Sequence, residues 1–220
     1  MKVDLVVALA GNANDGKSSI FKQLTVLGQI IGNWPGKTVE KAEGVLLHHG
    51  KHIKIIDLPG IYSLSTYSQE EIVSREYIAL EHPDVVVNVV DATSLERNLF
   101  FTLQLLEMGT PLVIALNLVD VAKKKGITIN EKKLQRLLNA PVVPTIATKG
   151  IGVHEIVDAA IEQADKRSSV SKSTIRYGPE IETRIEKLER VLTGIDIGYP
   201  PRWTAIKLLE GDSEIGNKVN

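Results

Sequence analysis

The sequence predicts an α/β fold: a doubly wound, mostly parallel six-stranded sheet with helices on both faces, followed by a small helical unit. Three observations predict it. Strand-like and helix-like segments alternate through the first 167 residues. The strand-like segments are mostly continuous Val/Ile/Leu runs, as strands buried on both faces require. The composition then turns polar at Arg167-Ser168-Ser169-Val170-Ser171-Lys172-Ser173-Thr174, and the segments beyond it are helical only.

Each element has its own signal. Val3–Ala10 is an apolar run ending at a glycine-bearing loop, and Ser19–Leu27 has helical spacing. Val45–His49 and His52–Asp57 flank the turn His49-Gly50-Lys51 and form a hairpin. Helices are expected over Ser68–Glu81, Ser94–Met108, Asn130–Leu138 and His154–Asp165, and strands over Val85–Asp91, Leu112–Asn117 and Val142–Ala147. Leu95, Leu99, Leu103 and Leu106 mark the expected buried face of the second of these helices. The reading divides the chain into a domain over 1–167, a linker over 168–174 and a helical domain over 175–220. In the last, Ile181, Ile185, Leu188 and Leu192 define one helix that Gly194 can stop, and Pro201 opens another around Trp203–Leu209.

Composition excludes several classes. A net charge of −1 gives no electrostatic argument for nucleic acid or an anionic membrane surface. Zero cysteines exclude disulfides and thiolate metal sites. The apolar runs are of strand length, too short to span a bilayer, and Met1-Lys2-Val3-Asp4 leads into a strand without a signal-peptide pattern.

The chemistry begins at Gly11-Asn12-Ala13-Asn14-Asp15-Gly16-Lys17-Ser18, a G-x-x-x-x-G-K-S loop between a strand and a helix. Successive N–H groups there wrap a β-phosphate, Lys17 reaches the β- and γ-phosphates, and Ser18 ligates Mg²⁺. Asp57-Leu58-Pro59-Gly60 ends a strand about 40 residues later, where its Asp holds the Mg²⁺ shell and the Gly60 N–H meets a γ-phosphate. Asn117-Leu118-Val119-Asp120 places a carboxylate for guanine N1–H and N2–H₂, donors that adenine lacks. Thr145-Ile146-Ala147-Thr148-Lys149-Gly150 can offer the Ala147 N–H to the guanine O6.

The order of these four motifs resembles the small GTPases of the translation-factor-like class. Ile31-Gly32-Asn33-Trp34-Pro35-Gly36-Lys37-Thr38-Val39-Glu40-Lys41, Asp57-Leu58-Pro59-Gly60-Ile61-Tyr62-Ser63-Leu64, Val90-Asp91-Ala92-Thr93-Ser94-Leu95-Glu96-Arg97-Asn98-Leu99 and Tyr199-Pro200-Pro201-Arg202-Trp203 resemble the FeoB family of prokaryotic ferrous iron transporters. The resemblance covers almost the whole chain. It implies a P-loop GTPase domain and a helical domain of the dissociation-inhibitor type, lying on the cytoplasmic face of the cell membrane. It implies GTP or GDP with Mg²⁺ and K⁺ as ligands, and hydrolysis that regulates ferrous iron uptake. The implied partners are a membrane domain later in the same chain, a small accessory Feo protein and a second copy, with no nucleic acid.

Carried over by residue, Gly11 to Ser18 and Ser19 hold the phosphates, with Asn33 and Trp34 in switch I. Ser18, Thr38 and Asp57 serve Mg²⁺, and Asn14 serves K⁺. Asn117, Leu118, Asp120, Ala147 and Thr148 surround the base. The catalytic set is Asn14, Lys17, Thr38 and Gly60. Ile61 stands where Ras-like enzymes carry a water-positioning Gln, so catalysis must come from elsewhere. Two rivals remain: a ribosome-assembly or tRNA-modifying GTPase, and a nucleotide switch without hydrolysis.

Ala13 and Asp15 depart from the family's usual Pro and small or apolar residue. An anionic Asp15 weakens phosphate binding unless it points away or is paired, and pointing away is the expectation. His48, His49 and His52 read as solvated strand-end residues rather than a metal site. Trp34 is either a partner contact or a plug over the pocket, and Trp203 is core. Glu182, Arg184, Glu186, Lys187, Glu189 and Arg190 read as a solvated helix face.

Overall fold

The computed structural model describes residues 2–25, 28–64, 68–166, 175–195 and 197–219. Its strands are β1 (Leu5–Gly11), β2 (Gln29–Asn33), β3 (Glu40–His48), β4 (Lys51–Asp57), β5 (Val85–Asp91), β6 (Leu112–Asn117) and β7 (Val142–Pro144). They form one seven-stranded sheet in the order β2-β3-β4-β1-β5-β6-β7. Pairing is parallel from β4 through β7 and antiparallel along β2-β3-β4. The sheet therefore has one strand more than the six expected. The addition is β2, all five of whose residues are exposed. An edge strand without a buried face carries no in/out alternation to read.

Both faces of the sheet are covered. Leu5, Val7 and Leu9 of β1 pack with α1 (Lys17–Leu24) and α6 (Val153–Asp165). Ala8 and Ala10 face the opposite layer, which contains α2 (Gln69–Leu80), α3 (Leu95–Glu107), α4 (Val119–Lys124) and α5 (Glu131–Leu138). This two-residue alternation between two buried layers is why the strands read as unbroken apolar runs.

In helix α3, Leu95, Leu99 and Leu106 of the leucine stripe are half-buried against the core. Leu103 is exposed, and the buried residues are Asn98, Phe101, Thr102, Gln104, Leu105 and Glu107. Several of the buried polar groups find partners inside: Asn88 Nδ2 donates to Thr102 Oγ1 at 2.7 Å, and Leu64 N–H donates to Gln104 Oε1 at 2.7 Å. A satisfied polar side chain can face the core, so apolar spacing alone misses the most buried positions.

The C-terminal elements are α7 (Pro179–Val191), α8 (Pro201–Leu209) and α9 (Ser213–Val219). The linker expected at 168–174 lies outside the described residues. Ile185 and Leu192 pack on Ala205 and Ile206, joining α7 to α8. Glu182, expected on a solvated face, instead accepts two bonds from Arg202, at 2.8 and 2.9 Å. Trp203 is fully buried, stacks on Tyr199 at 4.9 Å and belongs to the same core as Val73 and Ile78 of α2.

Arg75 of α2 fixes this docking. Its side chain is 0% exposed, reaches Asp212 at 3.1 Å and Glu214 at 2.6 Å, and lies 5.6–5.7 Å from the Tyr199 and Trp203 ring centres. Removing one member of a buried ion pair strands the other charges and costs about 3 kcal/mol. Arg75→Ala should therefore lower the urea unfolding free energy by about that amount, whereas the exposed Arg184→Ala should change it by less than about 0.5 kcal/mol. Equal effects of the two substitutions would contradict the docking role.

Candidate nucleotide site

The loop between β1 and α1 is shaped by three positive-φ residues: Gly11 (155°), Asn14 (71°) and Gly16 (93°). A Cβ on Gly11 would stand 2.7 Å from the Val89 carbonyl oxygen, and one on Gly16 would stand 2.1 Å from Asn117 Nδ2. Both glycines are therefore required by close approach. Helix α1 opens at Gly16 without a side-chain cap. Its first-turn N–H groups are oriented for an anion.

Lys17 is buried and pairs directly with the Asp57 carboxylate at the end of β4. Burial pushes the Asp57 carboxyl above its ordinary range, opposed by the Lys17 charge and hydrogen bond. Each half of this pair suits a different incoming ligand: Lys17 a phosphate, Asp57 a cation. Ser18 and Thr38 are exposed hydroxyls. With Asp57 they are oxygen donors, the type that suits hard Mg²⁺, although Thr38 lies in switch I.

Gly60 lies against the loop, where a Cβ would stand 3.1 Å from the Ala13 Cα. Ile61 N–H donates to the Gly11 carbonyl at 3.1 Å, and its side chain is buried in the core. That side chain is thus occupied in packing rather than presented to a water.

The base-binding motif is joined to the phosphate loop through Asn117. Its Nδ2 donates to the Asp15 carbonyl at 2.9 Å. Its Oδ1 accepts from Ala147 N–H at 3.0 Å and from Thr145 Oγ1 at 3.3 Å. The Ala147 N–H, expected to meet a guanine O6, here donates to Asn117. Leu118 adopts the left-handed region (φ 62°) as it opens α4. That conformation costs a non-glycine residue about 1 kcal/mol. Asp120 lies 3.4 Å from the exposed Lys149 ammonium, a contact that a base can replace. Thr148 follows Ala147 in a short 3₁₀ turn and is exposed.

Asp15 does not point away into solvent. It is 2% exposed, and its Oδ2 has no hydrogen-bond partner among the described residues. Burial, then the nearby Asp91 charge, push its pKa up to about 6, with an Asn12 backbone hydrogen bond and Arg97 opposing. Asn98 is a supporting residue that motif reasoning missed. It accepts from Asn12 Nδ2 at 3.1 Å and donates to the Ser94 carbonyl at 3.0 Å, tying the phosphate loop to α3.

Switch I residues sit elsewhere. Asn33 is paired with Glu40 in the β2–β3 hairpin, three strands from β1, or about 14 Å at ordinary strand spacing. Trp34 is neither an exposed partner contact nor a plug over the phosphate loop. It is buried against Tyr77 of α2, at 5.2 Å between ring centres, with Lys41 over its face. Lys37 pairs with Glu76 of the same helix at 2.8 Å. Asn14 is exposed at the loop tip.

Comparison with known proteins matches this arrangement. Residues 5–160 fit the family described as Ferrous iron transport protein B, and residues 177–220 fit the FeoB cytosolic helical domain. The chain belongs to the FeoB family. It is 46% identical over 218 residues to a Fe(2+) transport protein A/Fe(2+) transporter FeoB fusion protein of Porphyromonas gingivalis, covering 97% of this chain and 26% of that protein. The cytosolic domain of the T. maritima FeoB iron transporter, solved in a GDP form, superposes with a TM-score of 0.92 at 38% identity, covering 99% of this chain and 85% of that one. A GMPPNP form of the same domain gives 0.90 at 38% identity, covering 97% and 84%. The chain spans about a quarter of the length of the curated relatives it matches. No described helix is long and apolar enough to cross a membrane.

Asp15 gives this site a pH signature. Burial raises its carboxyl pKa from the ordinary 3.8 to about 6 in the folded state. Between those values the folded state holds more protons than the unfolded one, so stability falls as pH rises from 4 to 6. Asp15→Asn should remove that slope. The variant should be more stable than the parent by about 2 kcal/mol at neutral pH and equally stable below both pKa values. Thermal denaturation across pH checks this, and a parent-like slope in the variant would contradict it.

Proposed function

We propose that this chain is the GTP-binding and GTP-hydrolysing domain of a ferrous iron transporter, and that it gates uptake by a membrane domain of the same polypeptide. The observation that carries the reading is the Lys17–Asp57 pair beside the phosphate loop, with Asn117 joining that loop to the Asp120 motif. The proposed division is a G domain over 1–167, a linker over 168–174 and a helical domain over 175–220 that restrains GDP release. Its place is the cytoplasmic face of the membrane, and its proposed partners are the membrane domain, a small accessory Feo protein and a second copy.

The reaction is attack of water on the γ-phosphate of GTP, with inversion at phosphorus and departure of GDP. The N–H groups of residues 13–18 bind the β-phosphate, and Lys17 spans the β- and γ-phosphates. The Gly60 N–H and Thr38 meet the γ-phosphate. Ser18, Thr38 and Asp57 would hold Mg²⁺, which when bound would supply neutralisation of the developing negative charge. The Asp120 carboxylate selects guanine, because adenine would leave it unpaired. No arginine lies in the phosphate loop or switch I. Asn14 and the backbone oxygens of Asn33 and Trp34 offer neutral oxygen ligands suited to K⁺, which supplies the missing positive charge when bound. That requires the β2–β3 hairpin to move toward the phosphate loop.

Burial of Ile61 favours a second reading, a nucleotide switch without hydrolysis. The ribosome-assembly and tRNA-modifying alternatives lose ground because the tail fits the FeoB helical domain.

Phosphate release decides between these. GTP should be turned over and ATP should not. The rate should be higher in KCl than in NaCl at matched ionic strength, and Asn14→Ala should lose most of the difference. Asp120→Asn should weaken GTP binding by at least about tenfold while xanthosine nucleotides gain. Equal use of ATP and GTP would sink the guanine assignment, and no release from GTP in KCl would leave the switch reading.

A further inference from the structure

The β3–β4 turn lies at the amino-terminal end of β4, the end of the sheet opposite the phosphate loop. Three side chains converge there that no part of the nucleotide site uses. His48 Nε2 stands 2.7 Å from Asp158 Oδ1, and His49 Nε2 stands 3.2 Å from the same oxygen. The ligand atoms of all three residues lie within 4.8 Å of one another. The expectation of solvated strand-end histidines holds for His49, whose side chain is 71% exposed, and fails for His48. The His48 side chain is only 11% exposed. His52 stands apart, 3.8 Å from Asp4.

We propose that His48, His49 and Asp158 form a binding site for a divalent transition metal ion, with His154 as a fourth ligand. Donor atoms at about 2.0–2.2 Å from such an ion stand about 3–3.5 Å apart. The His49–Asp158 separation of 3.2 Å falls in that range, the His48–Asp158 separation of 2.7 Å is that of a hydrogen bond which an ion would replace, and both imidazoles aim at one carboxylate oxygen. Two imidazoles with a carboxylate suit borderline ions of the Zn²⁺ and Fe²⁺ class rather than Mg²⁺ or Ca²⁺.

The backbone prepares the site. His49 (φ 48°) and Gly50 (φ 76°) both occupy the left-handed region, as the tight turn of a two-residue hairpin requires. This turn sets two consecutive histidines beside each other, 4.2 Å between ring centres, instead of on opposite faces of a strand. Asp158 and His154 are four residues apart on α6 and so share one helix face. The His154 ring stacks on His48 at 5.7 Å and 11°, which sets a third imidazole beside the cluster. A bound ion would clip the hairpin to α6.

The test is calorimetric titration of the folded chain with Zn²⁺ in excess Mg²⁺, which occupies the oxygen-only sites. The parent should bind one equivalent and unfold at a higher temperature when loaded. His49→Ala and Asp158→Asn change half-exposed or exposed side chains, so both should fold. Each should weaken Zn²⁺ by at least tenfold and abolish the thermal shift, while His52→Ala should match the parent. No stoichiometric binding by the parent, or equal affinity in all four proteins, would overturn the proposal.

Discussion

The side-chain amide of Asn117 is the point on which the candidate site depends. Its nitrogen holds the Asp15 carbonyl, and its oxygen holds Ala147 N–H and Thr145 Oγ1. One buried group thus fixes three separate segments: the phosphate loop, the end of β6 and the loop after β7. Gly16 is compelled by the same contact, since any side chain there would collide with the amide. Buried amides with all partners supplied give geometry as well as stability.

The other side of the phosphate loop is less well settled. Asn98 secures Asn12 from α3, but Asp15 brings a carboxyl into a buried place next to Asp91. A group held uncomfortably beside an anion site stabilises neither the fold nor a bound phosphate at neutral pH. Farther out, switch I is docked on α2 through Trp34–Tyr77 and Lys37–Glu76, and α2 is docked on the tail through Arg75. Helix α2 is therefore the shared support of switch I and the helical domain.

Much of this was legible in the sequence, and the failures have physical causes. Val85–Asp91 and Leu112–Asn117 are read at their observed bounds because a strand buried on both faces is apolar throughout. The glycines of the phosphate loop declare themselves because no other residue fits there. Strand β2 is invisible because none of its residues is buried. The buried face of α3 is only partly legible in its leucines because Asn98 and Thr102 point inward with partners that sequence spacing does not show. The partner of the Ala147 N–H is not legible because it is a side chain 30 residues away. The His48–Asp158 cluster spans 110 residues and exists only once α6 lies beside the β3–β4 turn.

The account's central claim is that Asn117 makes the phosphate and base halves one site. The most direct measurement is the affinity for GDP of Asn117→Ala, by calorimetry on protein shown to be folded. Losing two or three buried hydrogen bonds and the alignment they impose should cost about 2–4 kcal/mol, on the order of a 100-fold rise in Kd. A folded Asn117→Ala that binds GDP as tightly as the parent would contradict the account.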